Sequence, residues 1–290
     1  MQQLQRLAAT AAACGNRCCC GRLGSQILRE AVALDAACLR WQVRVCYAER
    51  MVQDNPRLYF RQLLAGRDFA RHDTVARQMV NFVYLVGDRD TGEAMVVDPA
   101  YAVRELVEIA AGDGMKLVSV LATHFHPDHV GGDLFGHSIE GVRELLGIQG
   151  MKVHLQHAEA PWLQRVTELS ASDLDLHDSG DTVMVGAIPV QLIHTPGHTP
   201  GGQCFLVQGR LVAGDTLFLD GCGRTDLPGG DASAMYYSLT QRLAQVPDDT
   251  LLFPGHLYSP QPSATLGATR RDNFVFKPRT EQDWLRMFAH

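Results

Sequence analysis

From Met79 onward the chain alternates between two periods of apolar residues. Short runs of apolar, β-branched or aromatic residues at Val80–Val86, Ala94–Val97, Leu117–Ala122, Met151–Leu155, Gln203–Val207, Leu211–Ala213 and Thr250–Phe253 predict buried strands. Thr182–Ile193 predicts two more, kinked at Pro189. Apolar residues at helical spacing predict helices over Ala102–Ala111, Ile139–Leu146, Ala158–Glu168, Ala232–Ala244 and Glu281–Phe288, the first ended by Gly112. Gly87-Asp88-Arg89-Asp90 and Gly209 read as turns. Strands and helices interleave without a repeat or a low-complexity linker, which predicts one α/β domain over residues 51–290.

Composition adds bounds. With 290 residues, 46% of them hydrophobic, the chain can bury a sizeable core without disulfides. The longest charge-free run, Thr182–Gly209, holds three prolines and five glycines, so it is no membrane span. A net charge of −6 argues against nucleic acid as a partner.

The charge is unevenly distributed. Residues 1–50 carry seven arginines against three acids, and six of the eight cysteines. They read as an extension outside the fold: a targeting segment, since no acid precedes Glu30, or sequence upstream of a true start at Met51. The second reading is favoured. Cys204 and Cys222, isolated in the body, suit a reducing compartment, the cytoplasm, with the mitochondrial matrix as the alternative if the segment targets.

The chemistry lies in the histidines. Six of twelve fall in three clusters, each just past a predicted strand. The first is His124-x-His126-x-Asp128-His129, a density of imidazole and carboxylate that suits zinc, iron or manganese. Alternation after a strand aims His124 and His126 at one ion, and Asp128 and His129, past Pro127, at a second. The second cluster is His194-Thr-Pro-Gly-His198, in which His198 is the candidate ligand and His194 a backbone-bonded residue. Asp215, after another strand, can bridge two ions; alone it would read as a turn residue. Pro254-Gly255-His256 completes the set. Four loops at strand ends thus predict a two-metal site of five histidines and two aspartates.

This pattern, H-x-H-x-D-H followed by separate His, Asp and His loops, resembles the metallo-β-lactamase-fold superfamily over about Val80 to Tyr258. The resemblance implies a four-layered αββα sandwich with two mixed β-sheets and metals at one edge. It implies that His124, His126 and His198 bind one ion, Asp128, His129 and His256 the other, and that Asp215 bridges them. Asp98 matches a supporting aspartate near the site.

Two such ions, zinc first and iron or manganese next, would ionise a shared water and polarise a carbonyl, with Asp128 or Asp215 orienting the water or helping proton transfer. Hydrolysis of an ester, thioester or lactone by a metal-bound hydroxide follows. Asp215 stands where many zinc β-lactamases carry cysteine, which disfavours that branch. The runs Gly214-Asp215-Thr216-Leu217-Phe218 and Gly221-Cys222-Gly223-Arg224 resemble glyoxalase II thioesterases and persulfide dioxygenases. That resemblance implies a small thiol-derived substrate, with Arg224 binding its carboxylates and Tyr258 beside the pocket. The plainer readings are a surface salt bridge for Arg224 and a buried turn residue for Cys222. Only 34 residues follow His256, too few for the C-terminal domain of glyoxalase II, although Arg270 and Arg271 offer a replacement. The short tail and Gly223-Arg224-Thr225-Asp226 lean toward the dioxygenases, which use a single Fe(II). A thioester hydrolase of the glyoxalase II type leads, a persulfide dioxygenase is the alternative, and a lactone or ester hydrolase is a further one. A non-catalytic metal scaffold would predict degraded ligands, and all seven are intact. No membrane partner is expected, and a homodimer is left open.

Overall fold

Two six-stranded mixed sheets lie at the centre of the described residues, 55–288 of a computed structural model. The expected extension 1–50 and the start at Met51 lie outside the described residues. The first sheet takes β1 (Leu58–Leu64), β2 (Phe82–Asp88), β3 (Glu93–Val97) and β4 (Lys116–Leu121). A small hairpin of β5 (Gly132–Leu134) and β6 (His137–Ile139) stands apart. The sheet then adds β7 (Lys152–Gln156) and β8 (Leu174–His177) at its far edge, in the order β1-β2-β3-β4-β7-β8. The second sheet takes β9 (Thr182–Val185), β10 (Ile188–His194), β11 (Gln203–Val207), β12 (Arg210–Gly214), β13 (Leu251–Pro254) and β14 (Ala264–Thr265), in reverse spatial order.

The helices are α1 (Thr74–Met79), α2 (Val103–Gly112), α3 (Pro127–Val130), α4 (Val142–Ile148), α5 (Ala160–Thr167), α6 (Ala232–Tyr237), α7 (Leu266–Asp272) and α8 (Glu281–Phe288). Strand alternation sorts the layers. Val83 and Leu85 of β2 pack outward in one core with Leu106 and Ala110 of α2 and Leu163 of α5. Tyr84, between them, faces the other sheet: its ring stands 6.0 Å from Phe253 of β13, and its hydroxyl donates to the Pro254 carbonyl at 2.5 Å. On the far side, Leu211, Ala213 and Leu252 pack with Met235 of α6 and Trp284 of α8. The result is the expected αββα sandwich.

Several local expectations are corrected. The reversal between β9 and β10 falls at Gly186 (φ 54°), not at Pro189, which lies within β10 opposite Met184. Asp88 explains this turn: its carboxylate is forked to Arg57 and accepts from the Ala187 N–H at 2.7 Å, leaving no room for a Cβ at residue 186. The helix expected from Ile139 begins at Val142, because Ile139 belongs to β6 and the Gly141 N–H donates to Glu144 at the helix start. The helix expected over Ala232–Ala244 is α-helical only to Tyr237 and continues as a wider turn and then a tighter one to Gln245. The turn expected at Gly87 starts later, as β2 runs to Asp88. Among the described residues no helix is long and apolar enough to cross a membrane.

Candidate metal centre

The loops leaving β4, β10, β12 and β13 meet at one edge of the sandwich. The first brings His124 and His126, then α3 with Asp128 and His129; the others bring His198, Asp215 and His256. His124, His126 and His198 place donor atoms within 4.8 Å of one another, and so do Asp128, His129 and His256. Asp215 stands between the trios. Its carboxylate lies 3.6 Å from His198 Nε2, and 3.4 Å from both His129 Nε2 and His256 Nε2. All seven residues singled out as ligands are therefore in one cluster.

Four of the five rings are oriented by the hydrogen bond of their other nitrogen. The Thr123 hydroxyl donates to Asp98 at 2.5 Å, so its oxygen accepts from His124 Nδ1–H at 2.9 Å. His129 Nδ1–H donates to Asp98 (3.0 Å), His198 Nδ1–H to the Arg224 carbonyl (2.7 Å) and His256 Nδ1–H to the Met79 carbonyl (2.7 Å). Four Nε2 atoms thus turn inward, and His126 turns Nδ1 to within 3.0 Å of His198 Nε2. Burial holds the His124 pKa well below its usual range, and burial with the neighbouring His198 brings His126 to about 4. Both rings are neutral at pH 7, as a ligand must be.

The donor set fits a bound cation. His129 Nε2 and His256 Nε2 lie 3.1 Å apart, although each ring carries its proton on Nδ1. Against the effect of burial, the Asp128 and Asp215 carboxylates raise the His129 pKa to about 10, which marks the space between these rings as one that favours a positive charge. His124 Nε2 and Asp215 Oδ1 are buried without a hydrogen-bond partner. Each such atom costs about 1–3 kcal/mol if left unsatisfied, and a metal would satisfy both.

Three supporting residues were not legible in the sequence. Asn81, fixed by the Tyr101 hydroxyl at 3.1 Å, donates its amide to Asp128 Oδ2 at 3.0 Å. Glu159, wholly buried, accepts from the Phe125 N–H at 2.8 Å and the Gly201 N–H at 2.7 Å. One carboxylate thereby fastens the loop of His124 and His126 to the loop of His198. Burial pushes its pKa up to about 7. A glutamate after a strand on an otherwise helical pattern gives no sign of this; the only signal was its position one turn before an apolar helix face.

Gly223 shows how closely the loops approach. A Cβ there would stand 2.1 Å from the Asp215 carbonyl and 2.8 Å from the His198 ring. Gly223→Ala should therefore displace two of the seven donors and lower metal affinity by roughly the 10–100-fold typical of a lost outer partner. Titration of the variant with zinc, read against wild type, checks this; equal affinity would show that the loop can yield.

The expected substrate residues lie at the rim. Tyr258, 54% exposed, stacks on His256 with centroids 4.7 Å apart and rings 7° from parallel, and its other neighbour is Phe218. Arg224 is exposed and forked to Asp226 at 2.6–2.9 Å, while its carbonyl orients His198. Burial raises the Cys222 thiol to about 12, which suits packing rather than nucleophilic attack. His194 bonds the Pro200 carbonyl through Nε2 at 3.0 Å and stands outside both trios. Arg270 is engaged by the carbonyls of Leu243 and Val246 and by Asp248, so it does not serve as a free carboxylate binder.

The family model described as the metallo-beta-lactamase superfamily matches residues 76–256, the span from α1 to the last histidine of the cluster. The chain belongs to that superfamily. Within the metallo-β-lactamase superfamily it is 36% identical over 199 residues to hydroxyacylglutathione hydrolase of Aeromonas hydrophila, covering 69% of this chain and 70% of that one. It is 31% identical over 214 residues to human mitochondrial persulfide dioxygenase ETHE1, covering 68% and 74%. The crystal structure of ETHE1 from Myxococcus xanthus superposes with a TM-score of 0.65 at 28% identity, covering 80% of this chain and 90% of that one. This metallo-β-lactamase-fold protein is thus an enzyme of a metal-dependent superfamily whose similar members include hydrolases and an oxygenase.

Proposed function

We propose that the chain is a dinuclear metal-dependent hydrolase acting on a thioester of a small thiol, of the kind an S-acyl glutathione presents. The observation that carries this reading is Asp215, whose two oxygens reach both donor trios. His124, His126 and His198 would hold one ion; Asp128, His129 and His256 the other. When bound, a pair of divalent ions, zinc first, supplies a water that ionises near neutral pH and an electrophile for the thioester carbonyl. The chain's own residues set the geometry. Asp98 and Thr123 fix the rings of His129 and His124, and Asn81 holds Asp128 in place to orient a water or take up its proton. Tyr258, stacked on His256, offers an aromatic wall to the acyl or thiol portion. Arg224 meets a substrate carboxylate by exchanging its partner Asp226.

Similarity to ETHE1 supports a second reading: one iron held by His124, His198 and Asp215, acting with oxygen on a thiol persulfide. Elemental analysis of anaerobically purified protein, followed by two assays, separates them. Hydrolysis of S-lactoylglutathione with at least two ions per chain is the expected result. A single iron with oxygen uptake on glutathione persulfide, and no thioester turnover, would overturn it. Free Cys204 and Cys222 fit a cytoplasmic setting, and the name of the human relative keeps the mitochondrial matrix as the alternative.

A further inference from the structure

A second group of metal-ligating side chains lies away from this centre, on the edge of the first sheet. Strands β7 and β8 pair in parallel with His154 opposite Asp175 and Gln156 opposite His177. Val153, Leu155 and Leu174 belong to the outer core, so alternation turns His154, Asp175 and His177 together to the opposite face. His154 Nδ1 stands 2.9 Å from His177 Nε2 and 3.4 Å from Asp175 Oδ2. All three donor atoms lie within 4.8 Å of one another. Donors held at about 2.0–2.1 Å by one tetrahedral zinc are roughly 3.3 Å apart, so these spacings need little adjustment.

We propose that His154, Asp175 and His177 form a separate binding site for a borderline divalent cation of the zinc or cobalt class. Two features favour a metal over a simple pair of rings. Asp181 Oδ2 lies 3.5 Å from His177 Nδ1, the carboxylate placement that fixes a ligand ring and makes it a better donor. His154 is 8% exposed, so its ring is held in one orientation with Nδ1 toward His177 and Asp175. Asp175, by contrast, is exposed, which gives the ion a way in. Such an ion would staple the four-residue edge strand β8 and the turn bearing Asp181 onto β7. The His154 carbonyl in turn accepts from the Ala122 N–H at 3.1 Å, directly before Thr123 and His124. The staple therefore braces the strand that launches the catalytic loop without supplying a ligand to it.

The test is zinc content of the full-length protein, equilibrated with buffered zinc, in wild type, His177→Ala and Asp175→Asn. Wild type should hold one ion more than either variant. Its melting temperature should rise with added zinc to a degree that both variants lose, while their turnover stays within roughly twofold. Equal metal content in folded variants, or an undiminished melting shift, would show that the two histidines share only a hydrogen bond and overturn the site. Should His177→Ala fail to fold, Asp175→Asn, which changes one exposed oxygen to nitrogen, decides the question alone.

Discussion

Asp215→Asn should abolish most of the activity while leaving the sandwich folded. The substitution keeps the side-chain volume but removes the charge that lies within 3.6 Å of His129, His198 and His256. Loss of an outer partner costs about 10–100-fold in metal affinity or activity, and Asp215 touches both trios directly, so turnover should fall by more than about 100-fold. Metal content should drop with it. The core is indifferent, since Leu211, Ala213 and Leu252 pack on the far side of β12 and β13. Circular dichroism and elemental analysis beside the kinetic assay check each part. Turnover within about threefold of wild type, at full metal load, would remove Asp215 from the reaction.

The centre was legible in the sequence because each ligand follows a strand, and strands have a simple signature. Thr123-His124 through His129 is a local motif, and His198, Asp215 and His256 each sit beside glycine or proline, residues that mark tight loops. What was not legible lies in long-range hydrogen bonding. Asn81 and Asp128 are 47 residues apart, and Glu159 reaches Gly201 across 42. No periodicity encodes such pairs. The fold shows the same divide. Buried strands such as β2 and β4 read clearly, whereas β1, with Phe60, Arg61 and Gln62 half-exposed at a sheet edge, and β8, a four-residue edge strand with two exposed positions, do not. Pro189 misleads for a related reason: proline is a turn residue in isolation, yet the Asp88 carboxylate, far away in sequence, decides where the chain reverses.

Glu159→Gln should weaken the centre without touching a ligand, and do so with a pH signature. The glutamate accepts two backbone N–H groups; glutamine offers one carbonyl oxygen and turns its NH₂ toward the other donor. One buried N–H is then unpaired, at about 1–3 kcal/mol. The loops of His126 and His198 lose their common fastening, and metal affinity should fall about tenfold or more. The sign of the pH effect follows from the raised pKa, about 7 in the fold against 4.5 for an ordinary glutamate. A carboxyl whose pKa is raised by folding contributes stability that is complete below the unfolded value and lost as pH climbs through the folded one. Wild type should therefore lose stability between about pH 4.5 and 7 relative to the glutamine variant, which has no proton to release there. At pH 5 the variant should be the less stable of the two, and by pH 8 the gap should close or reverse, a swing on the order of 3 kcal/mol. Denaturant midpoints at both pH values, with the two proteins carrying the same metal load, measure it. A gap that stayed constant would mean that Glu159 is ionised throughout this range, and the fastening would then rest on a full negative charge.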